Sequence, residues 1–539
     1  MVCACVAFIA QTLLLGLFRA VKNVSIIHKG ENLFQIIERV LAFICFCFNF
    51  NQKIILDVFD VANPLKVECT FRTLSVAKFG GSLLDAEGKG IPKIIKRIKE
   101  LRIRDGCGPI AVFSAPMGIT DSIIRIGESH AQACALPIDV VFEVYERLAK
   151  IHVKDKWLKQ AQNEIEKYRS LTQTSLDLVN KRFSGNIKAK TITLGGELAM
   201  ASLMDFVLKS YGLDSCSLST EEWPVVTDDD FEDATPMYDA SKKRLHTLVQ
   251  PIEEGKVVCL AGFFGTTVDG LETILGRGGS DLTAVFVSCL LKDVYHTKVL
   301  LYKDVPVQSA DPKVVKGQKT EHVKALTYNE AHKASMMGMK IVMSPAIAMA
   351  RKFNQPLTVV PIDKPEMNSV IEAQTSGGEV VKCLTGKSGC AILSMNDEKS
   401  RSLEDALRIW ERRNDFMDLG AETMETGERI RDFLFLDSDF LKKNIEKLKG
   451  FDEDMNVEFG LGVVTLIGDR MKDSPGVASL AISAISGINI KRGIFAPHTS
   501  QIILVVQEKN VNATVAAIHS KKQDFNKPQN WPMGFQSTA

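Results

Sequence analysis

Leu275-Gly276-Arg277-Gly278-Gly279-Ser280-Asp281 runs without a break into an apolar stretch, Leu282 to Leu291. Three glycines around one arginine leave so little bulk that backbone N–H groups can approach an anion closely. Ser280 suits a helix N-cap, and the helix it would open points its positive dipole end into the same loop. Arg277 adds a planar fork matched to carboxylate or phosphate, and Asp281 adds one negative charge among donors. A sharp surface turn could use the same residues, so the surrounding chain has to decide.

Upstream, Leu74 to Phe79 reads as a short buried strand that runs into Gly80-Gly81-Ser82, and an amphipathic helix follows from Ile91 through Leu101. Strand, glycine pair and helix place backbone amides around a phosphate. The G-x-x-x-x-G-K-[ST] spacing of a P-loop is absent, and Lys78 stands at the strand end facing the same loop. Pro109 to Phe113 is a second strand, ending in Ser114-Ala115-Pro116-Met117-Gly118-Ile119-Thr120-Asp121. Small hydroxyl residues there suit ligand contact or a helix cap at Thr120 or Asp121. Residues 122–182 carry helical spacing. Leu194-Gly195-Gly196-Glu197 then sets one glutamate between a glycine pair and an apolar helix, as a first-turn charge or as a partner for a ligand's ammonium.

Val257 to Gly265 reads as a further strand, leading through the Asp269-Gly270 turn into the opening motif. Val299 to Tyr302 is the next strand, followed by Lys303-Asp304-Val305-Pro306 and Ser309-Ala310-Asp311-Pro312. A helix from Glu330 to Met339, Lys340, a strand-like Ile341-Val342-Met343 and a strand Leu357–Pro361 complete the region. Apolar strands alternating with helices predict a mainly parallel sheet covered on both faces. Beyond the Ser376-Gly377-Gly378 linker, two successive β-α-β-β-α units are expected, the first opening at Cys390–Met395 and the second at Val463–Ile467. Gly386-Lys387-Ser388 imitates the end of a P-loop, but Val381 stands where the first glycine belongs.

Bulk properties narrow the remaining classes. The 539 residues imply two to four domains, and a net charge of +1 gives no electrostatic case for nucleic acid. Twelve cysteines include no C-x-x-C pair, so buried reduced thiols are expected and no metal-ligating set is read. Met1 to Phe18 carries no charge, which is long enough for a membrane span or signal region. A positive n-region and a small-residue cleavage site are missing, and the next methionine is Met117. Residues 1–70 therefore read as a non-native extension from a start assigned too far upstream, with a membrane anchor as the alternative. The tail from 526 reads as loose.

Together these motifs resemble the aspartate kinase family, a branch of the amino-acid kinase superfamily, over roughly residues 74–520. The anchors are Lys78 to Ser82, Ser114-Ala115, Gly196-Glu197, Gly276 to Asp281, Asp304-Val305 with Ala310 to Pro312, and Gly338-Met339-Lys340. The resemblance implies a three-layer amino-acid-kinase fold at 71–365, then two ferredoxin-like ACT domains at 366–460 and 461–525. It implies ATP-dependent phosphorylation of the side-chain carboxylate of L-aspartate to 4-phospho-L-aspartate, opening lysine, threonine, methionine and isoleucine biosynthesis. Lys78 and Asp281 would be catalytic, with Asp281 also orienting Lys78. Ser114, Thr120, Glu197, Arg277, Gly278 and Ser280 would bind aspartate, Arg277 as the carboxylate clamp. Lys78, Gly80, Gly81, Ser82, Tyr302, Asp304, Asp311 and Lys340 would bind ATP, with Mg²⁺ bridging its phosphates. Asp473, Ser474, Pro475 and Gly476 would form an effector turn for lysine or threonine.

A homodimer or homotetramer through the ACT domains, no membrane or nucleic-acid partner and a cytoplasmic location are further implications. The chain departs from the family pattern at Ser82, Leu83-Leu84, Val307 and Ser344-Pro345, and the first ACT-like unit lacks the usual glycine within Asn396 to Ser400. Two alternatives accompany this reading. One is a sister kinase acting on glutamate, acetylglutamate or a nucleoside monophosphate, and the other is a sensor of the same fold without turnover. The length leaves no room for a fused homoserine dehydrogenase.

Overall fold

The computed structural model describes residues 72–527, apart from 222, 277, 376–377, 410–415 and 497–499. The readings of residues 1–70, of Arg277, of Ser376-Gly377 and of the tail past 527 lie outside the described residues.

Among the described residues ten strands precede residue 373: β1 (Thr73–Phe79), β2 (Ile110–Phe113), β3 (Ser215–Ser217), β4 (Val257–Ala261), β5 (Phe264–Thr266), β6 (Glu272–Ile274), β7 (His296–Lys303), β8 (Ala325–Thr327), β9 (Leu357–Pro361) and β10 (Ser369–Glu372). Eight of them form one sheet in the order β3-β4-β2-β1-β7-β9-β10-β8. All its pairings are parallel except β9 with β10. Parallel neighbours require crossovers, and helices supply them, covering the sheet on both faces. That is why β2 and β4 are buried along their whole length rather than alternating. β10 follows residue 365, where the sequence reading ends the catalytic region, yet its partners β9 and β8 put it in this sheet.

Two expected strands are corrected. Val257 to Gly265 breaks at Gly262, where a Cβ would come within 2.6 Å of Ser280 Cβ, and β5 turns away to form a hairpin with β6. Ile341-Val342-Met343 is a turn into the Ser344–Lys352 helix, with a proline in the first helical turn. A three-residue apolar run does not distinguish strand from helix approach, and proline at a helix start favours the second. Not every thiol is buried either: Cys134 is exposed.

Beyond residue 380, β11 (Cys383–Asn396), β12 (Phe416–Thr423), β13 (Arg429–Phe435), β14 (Asn456–Ile467), β15 (Ile490–Ala496) and β16 (Gln501–Gln507) form an antiparallel sheet in the order β12-β13-β11-β14-β16-β15. The helices Asp397–Ile409 and Ser438–Lys449 complete the first β-α-β-β-α unit, and Val477–Ala484 and Val511–His519 complete the second. The expected repeat of element order is present, and the long strands β11 and β14 pair so that both units share one sheet. Ala310 and Val315, from the loop after β7, sit in the core of the second unit beside Leu384, Val464, Val515 and Ile518.

Candidate active site

Lys78 is the penultimate residue of β1, and in the register between neighbouring strands it lies opposite Leu301 of β7. Side chains at paired positions of parallel strands share a face, and those two residues apart on one strand share it too. Lys303 therefore emerges on the same face as Lys78, one pleat further along. The Gly279–Leu290 helix packs on this face and carries Asp281 as its third residue. Lys78 Nζ meets Asp281 Oδ1 at 2.7 Å, and Lys303 Nζ meets Oδ2 at 3.3 Å.

Burial alone would raise the Asp281 carboxyl, but the Lys303 and Lys78 ammoniums outweigh it and hold the group well below the usual carboxylate range. Burial draws the Lys78 ammonium down from its ordinary value, with Asp281 opposing and Lys303 assisting. The helix N-terminus adds a further positive field at Asp281. Its cap is Gly278, at φ +79°, and not the expected Ser280, which lies within the first turn. A Cβ on Gly278 would overlap the Met343 side chain, so both conformation and space demand glycine.

Glu197 stands not at a helix start but inside a helical run, in a π-turn over Leu194–Leu198 between the helices Gly185–Thr193 and Ala199–Ser210. A π-turn widens the helix and disturbs its carbonyl pairing. Tyr145 compensates: its hydroxyl donates to the Gly195 carbonyl at 2.9 Å and to that of Gly196 at 2.8 Å. The turn directs the glutamate toward the strand ends, where the Ala115 N–H donates to Glu197 Oε1 at 3.4 Å. Oε2 is buried with no hydrogen-bond partner. Burial pushes this carboxyl up to about 8, against the Ala115 N–H, its own N–H and Lys78. Burial thus favours its neutral form, and an arriving ammonium group would give it a reason to ionise. The same helical run, Gly185 to Ser210, is long and apolar enough to cross a membrane, but 94% of its apolar window is buried inside the fold. It is a core helix.

Gly80 and Gly81 make a turn beside this charge cluster. A Cβ on Gly80 would stand 3.4 Å from Lys78 Nζ, and one on Gly81 would come within 2.7 Å of the Ala115 carbonyl oxygen. Gly81 thus lets the turn pack directly on the Ala115 backbone, and Gly80 leaves backbone without a side chain beside an ammonium, which fits a phosphate group. Ser82 is exposed, and Ser114 is held next to the turn by its N–H donating to Phe79 O at 3.2 Å. Thr120 is half-buried in the first turn of the Ile119–Ala131 helix, whose cap is Gly118 at φ +85° rather than Thr120 or Asp121. Phe263, between Gly262 and β5, has φ +73°, costly for a bulky residue. Its N–H donates to Thr283 Oγ1 at 3.1 Å and its carbonyl accepts from Leu275 at 2.8 Å, which pins the start of the Gly276–Gly279 loop.

The remaining expected nucleotide residues are spread more widely. Tyr302 is buried with its ring stacked on Phe79 at 4.8 Å, a core position. Asp304 is exposed just past β7, and Lys340 is exposed on the turn before Met343. Asp311 caps its own turn, accepting from the Lys313 N–H at 2.8 Å. The loop around it is tied to the Val511–His519 helix, with Ser309 Oγ 3.0 Å from His519 Nε2. Among the described residues no group of three or more His, Cys, Asp or Glu side chains could hold a metal ion.

In the second C-terminal unit, Gly476 caps the Val477–Ala484 helix at φ +85°. Ser474 and Gly476 line a cavity of about 200 Å³ with Met471, Phe495 and Gln501. Asp473 ends the short turn before it and Pro475 lies between the two lining residues. At the helix start of the first unit, Asp397 is bound by Arg431 at 2.7 Å and Arg429 at 3.0 Å.

Comparison with known proteins follows this geometry closely. The sequence profile of the Amino acid kinase family matches residues 73–361, and that of an ACT domain matches residues 464–521. The chain is 26% identical over 363 residues to an aspartokinase of Helicobacter pylori, covering 64% of this chain and 86% of that protein. Its fold is similar to that of E. coli aspartokinase III in complex with aspartate and ADP, with a TM-score of 0.68 and 20% identity over 83% of this chain and 99% of that one. The same enzyme in complex with lysine and aspartate gives a TM-score of 0.65 and 20% identity over 84% and 99%. With its first profile spanning more than half of the sequence, the chain belongs to the amino acid kinase family.

Proposed function

We propose that this chain is an aspartate kinase, transferring the γ-phosphoryl group of ATP to the side-chain carboxylate of L-aspartate. The observation that carries the reading is the buried Lys78–Asp281 pair at 2.7 Å, set between a glycine cradle and a carboxyl pushed up to about 8. Phosphoryl transfer asks for positioned reactants and stabilised charge rather than a protein nucleophile. The acceptor carboxylate is ionised at neutral pH, so no general base is required. Lys78 meets the charge that develops on the transferring group, the Gly80 and Gly81 turn with Ser82 cradles it, and Asp281 holds Lys78 in place. Glu197 takes the substrate ammonium through its unpartnered Oε2. Ser114, Thr120, Gly278 and Ser280 border the amino-acid side, and Arg277 clamps a substrate carboxylate. Asp304, Asp311 and Lys340 flank the nucleotide, with Tyr302 supporting the floor. Mg²⁺ would be held through the nucleotide phosphates, and among the described residues no side-chain cluster would hold it alone.

The E. coli structure with lysine and the ACT profile support feedback control in this chain. We assign the Asp473-Ser474-Pro475-Gly476 turn to the effector, lysine or threonine, and the paired units to self-association as dimer or tetramer. The product feeds lysine, threonine and methionine synthesis in the cytoplasm. An ADP-release assay tests the central claim, run with L-aspartate, with L-glutamate and with no acceptor, then repeated with lysine and threonine added. Absence of aspartate-dependent turnover from folded protein would sink it. Arg277→Lys should raise the aspartate KM and lower kcat, because a point charge does not replace a bidentate fork.

A further inference from the structure

The Leu194–Leu198 π-turn pairs its carbonyls one residue further along than an α-helix does, a rare arrangement that persists only where its surroundings favour it. Two features of the surroundings do so. A Cβ on Gly195 would come within 3.0 Å of Ile123 Cδ1 and 3.1 Å of Thr172 Cγ2, so this glycine lets the turn press against two neighbouring helices. From the Asp139–His152 helix, Tyr145 donates its hydroxyl to the Gly195 carbonyl at 2.9 Å and to that of Gly196 at 2.8 Å. Tyr145 is fully buried, and burial first and Glu197 second push its hydroxyl well above its ordinary value. The oxygen therefore keeps its proton at neutral pH and stays a donor to the turn. Gly196 directly precedes Glu197, so this anchor lies one residue from the group it would aim.

We infer that Tyr145 is the positioning residue of Glu197: by holding the Gly195 and Gly196 carbonyls it fixes the π-turn that directs this carboxyl to the substrate's ammonium group. It acts through Glu197 rather than by touching substrate. Without the hydroxyl the turn can relax toward α-helical pairing, and one residue of register swings a side chain by about 100° around the helix axis. That is enough to take Glu197 away from the strand ends and the Ala115 N–H. The inference rests on the ammonium-binding role proposed for Glu197.

The test compares two ligands on the full chain with MgADP present: L-aspartate, and succinate, which has both carboxylates but no ammonium. Tyr145→Phe keeps the ring and removes only the hydroxyl. It should weaken L-aspartate binding by about tenfold or more and leave the succinate affinity within about twofold. In the Glu197→Gln background the same change should weaken aspartate binding by less than about twofold, because the two residues act as one unit. Equal weakening of both ligands, an undiminished loss in the Glu197→Gln background or no loss at all would overturn the assignment. So would a Tyr145→Phe chain that does not fold, since the hydroxyl would then be a structural support.

A second measurement needs no ligand. Glu197→Gln should raise Tm at pH 8 only as far as the carboxyl is held in its buried place. That gain should shrink by about half or more once Tyr145→Phe lets the carboxyl reach water. A gain of equal size with and without Tyr145→Phe overturns the positioning role. A shrunken gain in a chain that binds no aspartate would refute the aspartate reading and keep the hold of Tyr145 on Glu197.

Discussion

Among the described residues two helices carry in their first turn an aspartate that holds two basic side chains, and they differ in almost every consequence. Asp281, third in its helix, binds Lys78 from β1 and Lys303 from β7 with its side chain 3% exposed. Asp397, first in its helix, binds Arg429 and Arg431, both from β13, and Asp418 neutralises Arg431 a second time at 2.6 Å. The surface group is electrically complete: two guanidiniums face two carboxylates in contact with water. The buried group is one anion short. Burial decides what the shortage means, because an unneutralised charge next to solvent costs little whereas one inside the protein seeks a partner. The same local arrangement is therefore neutral at the surface of the first C-terminal unit and carries excess positive charge inside the catalytic one.

Removing the anion from each cluster breaks the comparison most directly, and the buried site should suffer most. Asp281→Asn leaves two lysines without a carboxylate, one of them buried. We expect kcat to fall about a thousandfold and unfolding free energy to drop by roughly 3–5 kcal/mol. Denaturant titration and ADP release check both, and turnover within tenfold of wild type would show that Asp281 does not organise the lysines.

Glu197→Gln separates activity from stability. The folded carboxyl sits at about 8 against an ordinary 4.5, so its neutral form is favoured in the fold. Between those values the unfolded chain releases a proton that the folded chain keeps, so this residue's contribution is full below about 4.5 and is lost as pH rises toward 8. The unliganded Gln variant should match wild type near pH 4.5 and exceed it in Tm by pH 8. Its kcat/KM for aspartate should fall about a hundredfold. A variant less stable than wild type at pH 8 would contradict the burial argument.

How much of this was legible from residues alone follows the range of the interactions. The strands β1, β2, β7 and β9 and the doubled β-α-β-β-α order rest on local patterns, namely apolar runs and glycine spacing, whereas the roles proposed for Lys78 and Asp281 rest on the family resemblance. Lys303 was visible as a residue and not as a partner, since only the β1–β7 register brings it beside Asp281. Tyr145 was hidden in a long helical stretch, and nothing local says that its hydroxyl serves a turn 50 residues away. The caps were misread at Ser280 and Thr120 because side-chain preference favours Ser and Thr, while the close approach of Met343 and the left-handed backbone require glycine at 278. Clashes of that kind have no signature in one sequence.

Gly476→Val tests whether the second unit's open helix start is a working site. At φ +85° a side chain costs about 1–2 kcal/mol, and the new group would stand at the rim of the cavity. The concentration of lysine or threonine giving half-inhibition should rise at least about tenfold, the larger share of a modest ΔG penalty appearing in effector response. An unchanged response would move the effector elsewhere.

The smallest effect belongs to Asp397→Asn. Its carboxyl is held low chiefly by the hydrogen bond from Arg431, yet both guanidiniums reach solvent, and Arg431 keeps Asp418 after the change. Exposed pairs gain little Coulomb energy and spend side-chain freedom to form. A slight fall in Tm is expected at low ionic strength, and high salt should erase it because screening already weakens the wild-type pair. Turnover should not move. If instead the variant gained an amino-acid response in its first unit, the Asp397 cluster would be a plug over a latent site rather than a surface clip. The comparison with Asp281 would then run the other way, with charge completeness at the surface serving to exclude a ligand.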